Sequence, residues 1–436
     1  YGRLGNQNGA GLYDYIAQMP LDAQGTNAWL LPGISSSTAS KGTIAQTPKM
    51  ISPYITWEKV DNANLGFDLM LFKNRLSITA DLYQRTTRDM IGPAESIPSI
   101  SGIASEDRAK VNNATLRNRG WELSVSWNDK LKCGFSYGVG FNVFNYKAVV
   151  TKYNNPEGII YNNHTGLAAN KGYYEGMDLG EIWGYRADDL FLSNREIDDY
   201  LRKVDLTAFK SNDLWRRGDL KYIDTNGDGR VDGGKGTLSD HGDLQVIGNT
   251  TPKYSFGINL NLGYKGFEVS TLLQGVAKRD FPIAGSNYMF GGNNYNFKEH
   301  LDYFSTENPN GYLPRLTGWK DDKDFLVNTG YNTTRYLLNA AYMRMKNLTV
   351  AYTFNKKQLK HIGISNLKVY VTCDNLFTIT KLPKQFDPET LNQVNMSAGG
   401  DAKNTAPGLT SPMKQNGNGM VYPMNRNFVF GLDFTF

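Results

Sequence analysis

Apolar residues fall on every second position through much of this chain. From 254 to 264, Tyr254, Phe256, Ile258, Leu260, Leu262 and Tyr264 alternate with Ser255, Gly257, Asn259, Asn261 and Gly263. After a Lys265-Gly266 turn, Phe267, Val269 and Leu273 resume the apolar phase against Glu268, Ser270 and Gln274. Successive side chains of a strand point to opposite faces, so this stretch predicts a hairpin with one apolar and one polar face; a helix cannot use that spacing.

The same alternation predicts strands over 62–73, 75–89, 111–127, 133–149, 252–264, 267–279, 336–354, 367–379 and 425–436, with a weaker pattern over 179–191 and 214–223. Short links at 74, 128–132, 265–266 and 355–366 alternate with long ones at 90–110, 150–178, 280–335 and 380–424. Short turns at one end and long loops at the other describe an outer-membrane barrel. The strands are also long enough to cross a bilayer when tilted. A soluble β-sandwich would use shorter strands and would not leave its polar face so rich in Gly, Ser, Asn and Thr; a water-filled lumen needs such a face.

Strand parity sharpens the picture. If the short turns are periplasmic, strand 62–73 runs inward and 425–436 also ends inside, so the stretch between 133–149 and 252–264 holds zero or two crossings. The two weaker segments supply that pair, giving about 11 strands. An odd open sheet leaves two unpaired edges in lipid, where each unsatisfied backbone group costs several kcal/mol. The expected fold class is therefore all-β, one part of a larger antiparallel transmembrane barrel. The opening Tyr1-Gly2-Arg3-Leu4-Gly5-Asn6, with no initiator Met, basic stretch or apolar signal segment, reads as the interior of a longer chain or a processed product.

Composition excludes several alternatives. With 47 Lys and Arg against 42 Asp and Glu in 436 residues, the net charge is +5 and the basic residues are interspersed with acidic ones, so nothing points to nucleic acid. No uninterrupted apolar run reaches 18 residues, which excludes a helical membrane protein. Two cysteines cannot make a disulfide framework; Cys133 and Cys373 fall in phase with the outward apolar residues. The many strand-end tyrosines, with Trp57, Trp121 and Trp127, suit interface girdles. The four histidines lie far apart, and no Ser/His/Asp grouping can be assembled. His241, beside Asp240 and Asp243, reads as a loop residue, and no enzyme is expected.

Two segments carry candidate chemistry. Asp224-Thr225-Asn226-Gly227-Asp228-Gly229-Arg230-Val231-Asp232 places side-chain oxygens at positions 1, 3, 5 and 9, a backbone carbonyl (Arg230) at 7 and Gly at 6, the way a short loop wraps Ca2+. Lys235 stands where an EF-hand has its Glu, so a later acid, Asp243 with Asp240 as substitute, must complete the shell. The simpler reading is a pair of Asn-Gly and Asp-Gly turns without an ion. The loop 281–312 carries Tyr288, Phe290, Asn293, Asn294 and Tyr295, aromatic faces and amides that suit sugars or peptide backbones, or that merely pack the loop.

Segments along almost the whole chain carry a resemblance: Trp57-Glu58, Asn64-Leu65-Gly66-Phe67-Asp68, Asn74-Arg75-Leu76-Ser77, Asp81-Leu82-Tyr83, Arg117-Asn118-Arg119-Gly120-Trp121-Glu122, Gly218-Asp219-Leu220-Lys221-Tyr222-Ile223-Asp224, Ile247-Gly248-Asn249, Pro252-Lys253-Tyr254, Met343-Arg344-Met345-Lys346-Asn347-Leu348 and Asp374-Asn375-Leu376-Phe377. The chain resembles the C-terminal part of SusC/RagA-type TonB-dependent outer-membrane transporters. That resemblance implies half of a 22-stranded barrel, with a plug and a TonB-contacting segment in an N-terminal part outside these residues. It further implies a SusD-type surface lipoprotein as lid, surrounding outer-membrane lipid, and import of oligosaccharides or, in some members, peptides. In the family the acidic loop lies in a matching place, its late acid corresponding to Asp243. A siderophore or haem receptor would act without a lid. An outer-membrane phospholipase or protease would need a nucleophile and base, and an adhesin would move no solute.

Overall fold

A computed structural model of the chain describes residues 1–6, 15–17, 19, 21–22, 44–45, 50–92, 98, 100, 108–160, 173–283, 289, 298–317, 324, 326–355, 359, 364–391 and 424–435. Its frame is one antiparallel sheet of 11 strands. Ten run side by side in chain order: β1 (Gly2–Asn6), β2 (Glu58–Leu71), β3 (Leu76–Gly92), β4 (Val111–Lys130), β5 (Ser136–Lys152), β6 (Lys253–Tyr264), β7 (Phe267–Lys278), β8 (Tyr342–Thr353), β9 (Asn366–Asp374) and β10 (Asn427–Thr435). The short strand Thr378–Thr380 pairs with β8 beyond the end of β9. β1 and β10 are the edges and, among the described residues, do not pair with each other.

Register aligns the apolar phases of neighbouring strands. Leu262, Leu260 and Ile258 of β6 stand opposite Tyr137, Val139 and Phe141 of β5, and opposite Val269, Thr271 and Leu273 of β7. The other face aligns Ser126 with Gly140, Ser124 with Asn142, Asn259 with Gly140 and Asn261 with Gly138. The apolar face is bare: Phe430 is 77% and Leu432 66% exposed. A soluble monomer rarely exposes so continuous an apolar surface, whereas a bilayer covers it. Among the described residues no helix is long and apolar enough to cross a membrane; the strands do the crossing.

The short turns end in aromatics on the lipid face. Trp127 Nε1 donates to Tyr137 Oη at 3.2 Å, and the rings of Phe267 and Tyr352 lie 4.6 Å apart. Between β6 and β7, Lys265 and Gly266 both take positive φ, 46° and 91°, the two-residue hairpin turn whose twist matches that of the strands. Gly431 of β10 lies beneath Tyr370, where an added Cβ would meet the ring at 2.1 Å. Only glycine lets the aromatic lie flat across the strand there.

The buried core lies beyond the wall, at the long-loop end. Trp183, Tyr185, Phe191, Leu206, Trp215, Leu220 and Tyr222 from the excursion between β5 and β6 pack with Phe281, Ile283, Leu313, Val327 and Tyr336 from the β7–β8 excursion, and with Leu382 and Phe386 after Thr378–Thr380. Helix α1 (Asn194–Leu201) joins this body; Ser193 caps it by accepting from Glu196 N, and Glu196 accepts from Leu192 N.

All nine strongly patterned segments enter the sheet; the weaker pair does not. Residues 179–191 and 214–223 do not cross the membrane. Glu181–Gly184 pairs with Gln245–Asn249, and Asp189–Leu190 with Leu220–Lys221, as separate two-stranded sheets inside the body. Zero crossings lie between β5 and β6, which pair directly, and the sheet reaches its strand number through Gly2–Asn6 and Thr378–Thr380. Segment 336–354 divides into Leu337–Asn339, paired with Asp280–Pro282, and β8; 367–379 breaks at Asn375, where φ is 53°. Cys373 faces outward opposite Phe428 and Leu348, as expected. Cys133 sits in the exposed turn before β5 rather than in a strand. Trp57 lies outside the ladder at the long-loop end of β2, against Gly5, and belongs to neither girdle.

Candidate functional site

The polar wall face and the body above it are the surfaces a solute would meet. Near the short turns, a cavity of about 600 Å³ is lined by Asn128, Ser136, Asn261, Glu268, Ser270 and Lys368. Lys368 Nζ reaches across β8 to Glu268 Oε2 at 2.6 Å, and Thr349 and Thr372 share a hydroxyl hydrogen bond of 2.9 Å. Uncharged amides and hydroxyls with paired charges make a wettable face.

The body is held by a buried charge cluster. Asp219, with its side chain fully buried, accepts from Lys210 Nζ at 2.7 Å, Arg315 Nε at 2.6 Å, Asn328 Nδ2 at 3.0 Å and Arg216 N at 2.8 Å. Asp324 completes the cluster through Lys210 Nζ at 2.6 Å and through Arg315. Burial pushes the Asp324 carboxyl up, but the hydrogen bonds from Lys210 and Arg315 outweigh it and hold the group below the ordinary carboxylate range. Lys210 also lies 4.6 Å from the centre of the Trp215 ring. The cluster welds the β5–β6 excursion to the β7–β8 excursion.

A second cluster fastens the segment after Thr378–Thr380 to the wall. Arg344 of β8, itself buried, donates to Asp387 Oδ2 at 2.8 Å and to Thr378 Oγ1 at 2.7 Å, and pairs with Glu389 at 3.1 Å. Lys346 adds a 2.8 Å bond to Glu389. Asp387 also accepts from Glu389 N and Met424 N. Burial again opposes ionisation of Asp387, and these donors again prevail.

Within the acidic loop the carboxylates turn inward on their own backbone. Asp224 accepts from Gly227 N at 2.6 Å and Gly229 N at 2.9 Å; Asn226 Oδ1 from Asp228 N at 2.9 Å; Asp228 Oδ1 from Arg230 N at 2.9 Å. Asp232 Oδ1 accepts from Gly234 N at 2.7 Å, while its Oδ2 pairs with Arg230 Nε at 2.6 Å. Buried Asp243 reaches back to Thr225 N at 2.7 Å and Asp232 N at 3.0 Å. Asp243, separated in sequence from the loop, thus closes it through hydrogen bonds from loop amides. The donor set is all oxygen, the chemistry a hard cation requires. In this conformation those oxygens serve successive Asx turns, and among the described residues no group of three or more His, Cys, Asp or Glu is gathered to hold a metal. The loop borders a cavity of about 1290 Å³ shared by Asp228, Arg230, Asp232, His241, Tyr185 and Tyr331. Tyr288, Phe290, Asn293, Asn294 and Tyr295 lie outside the described residues; Met289 among them is buried in the body core with Phe281 and Ile283.

Neither charge cluster was readable as a motif, because their members lie far apart in sequence. Arg344, alone among apolar neighbours in Met343-Arg344-Met345, was the one local signal.

An antiparallel wall with one lipid-facing apolar side, short turns and long loops is the architecture of an outer-membrane barrel, and comparison with known proteins agrees. A family model described as "TonB dependent receptor-like, beta-barrel" matches residues 8–376. The chain belongs to that family of outer-membrane transport proteins. It is 26% identical over 385 residues to TonB-dependent receptor P3 of Formosa agariphila, covering 88% of this chain and 34% of that protein. It is 22% identical over 354 residues to TonB-dependent receptor SusC of Bacteroides thetaiotaomicron, covering 80% of this chain and 31% of that protein. The solved structure of the RagAB peptide transporter matches all of this chain and 40% of its own, with a TM-score of 0.64 at 21% identity. The chain thus spans about a third of the length of the curated relatives it matches.

Proposed function

We propose that the chain is the C-terminal portion of the barrel of a TonB-dependent importer that carries oligosaccharides across the outer membrane, working with a SusD-type lipoprotein lid. The observation that carries this reading is the sheet itself, a lipid-facing apolar side backed by a Gly, Ser, Asn and Thr face beneath a large loop body. The unpaired edges β1 and β10 support further strands, because open edges are costly in lipid. In this reading the lid delivers ligand to the loops, where Tyr288, Phe290, Asn293, Asn294 and Tyr295 stack on and hydrogen-bond to sugar rings. The TonB complex, acting on the N-terminal part, then drives passage along the polar wall. Asp224, Asn226, Asp228, the Arg230 carbonyl, Asp232 and Asp243 would hold a structural Ca2+ that stiffens the loop.

A peptide is the second cargo, supported by the fold likeness to a peptide transporter. Uptake in cells decides between them. A strain carrying Asn294→Ala and Tyr295→Ala should lose uptake of the oligosaccharide on which the wild type grows while its barrel still assembles. Unchanged uptake would return those residues to packing. Loss of growth only on peptide, or only under iron chelation, would move the reading to peptide or siderophore import.

A further inference from the structure

We propose that Arg117, Arg119 and Lys147 form a seat for the phosphate group of an outer-leaflet lipid on the outside of the wall. The register sets Arg119 of β4 directly opposite Lys147 of β5, with Gln84 of β3 on the other side. Arg117 follows on the same face, opposite Thr86 and Val149. This is the lipid-facing side, because Arg119 shares the phase of Trp121, Leu123, Val125 and Trp127. Arg119 and Lys147 are exposed.

Like charges directly opposite one another weaken a sheet, so the pair favours a compensating anion, and the described residues supply none. Among the described residues, Arg119 Nε bonds the neutral amide of Gln84, at 2.5 Å. The carboxylates on this part of the face are already engaged, Asp61 by Arg3 and Arg88 and Asp89 by Lys59. Among the described residues no carboxylate pairs with Arg117, Arg119 or Lys147.

Depth selects the occupant. Trp127 marks the short-turn girdle, and Trp121, about 20 Å further along the strand, stands beside Asn145 at the other end of the apolar band. Arg119 and Lys147 lie one step beyond, where lipid headgroups sit against an aromatic girdle. A guanidinium fork with an adjacent ammonium matches a phosphate monoester, and basic clusters at this level recruit anionic headgroups. The face is open rather than a pocket, so a free anion would be screened away; a lipid is kept there by its own tails.

The test uses the protein extracted from outer membranes and placed in phosphatidylcholine nanodiscs with diphosphoryl lipid A or its dephosphorylated form. Retained lipid is counted by mass spectrometry. The wild type should retain the phosphorylated lipid about tenfold better than the dephosphorylated one. Arg119→Gln with Lys147→Gln should abolish that preference, and Arg119→Lys should keep part of it. Heat-modifiable gel migration confirms that each variant is folded. Equal retention by wild type and the double variant overturns the proposal. So does displacement of the lipid by equimolar inorganic phosphate, which would make the seat a free-anion site.

Discussion

Asp219 receives four donors from four directions while excluded from water, so its removal leaves Lys210 and Arg315 short of a counter-charge in a buried place. Breaking one partner of a buried pair costs about 3–5 kcal/mol. Asp219→Ala should therefore destabilise the body by about that amount, read as an early denaturant transition in the fluorescence of Trp215, which packs against Lys210. Replacing Lys210 by Met at the same time should cost less than the sum of the two single changes; strict additivity would mean the two charges are not coupled. Nothing in the sequence announces this cluster. Lys210, Asp219, Arg315 and Asp324 have no common spacing, and only the fold brings them together. Arg119 and Lys147 were equally invisible, because their confrontation depends on a strand register that alternation alone does not specify.

The elements were more legible. Strong period-two runs all became wall strands, since one face meeting lipid and the other water imposes that period on every crossing. The failures have a physical cause: Trp183, Tyr185, Leu220 and Tyr222 also alternate, but their apolar side chains enter the body core instead of lipid. Gly2–Asn6 has almost no apolar residue to alternate and is held by backbone pairing to β2. The acidic loop stands out in the sequence because all but one of its parts are local. Asp228→Asn should weaken Ca2+ binding at least about tenfold, near 1.4 kcal/mol, measured by calorimetry on the calcium-stripped protein. If the purified variant keeps the wild-type ion content, the loop is a set of turns and no more.

At the scale of the molecule, wall and body respond differently to acid. Asp324 and Asp387, both in the body's fastenings, ionise below the ordinary carboxylate range. A folded-state value below the unfolded one, about 3.9 for Asp, lends stability that is complete above that pH and lost as pH falls through the depressed values. The body, followed through the fluorescence of Trp183 and Trp215, should be unchanged between pH 5 and 8 and loosen only below about pH 4. A transition near pH 6 would assign control to another group. The wall, built on backbone pairing and lipid contact, should keep its strand circular dichroism throughout.

β5 and β6 are neighbours in the sheet although the chain leaves and returns through residues 153–252 between them. The Val149–Asp178 bridge and the 3.6 Å Lys253–Asp178 ion pair close the stem of that excursion. Loop-closure entropy grows only with the logarithm of length, about 0.6 kcal/mol for each doubling. Once the stem is pinned, the staves on either side therefore scarcely sense how much chain has been inserted. Chain can thus be inserted or removed above the stem while the strands below keep their lipid-imposed alternation and their pairing.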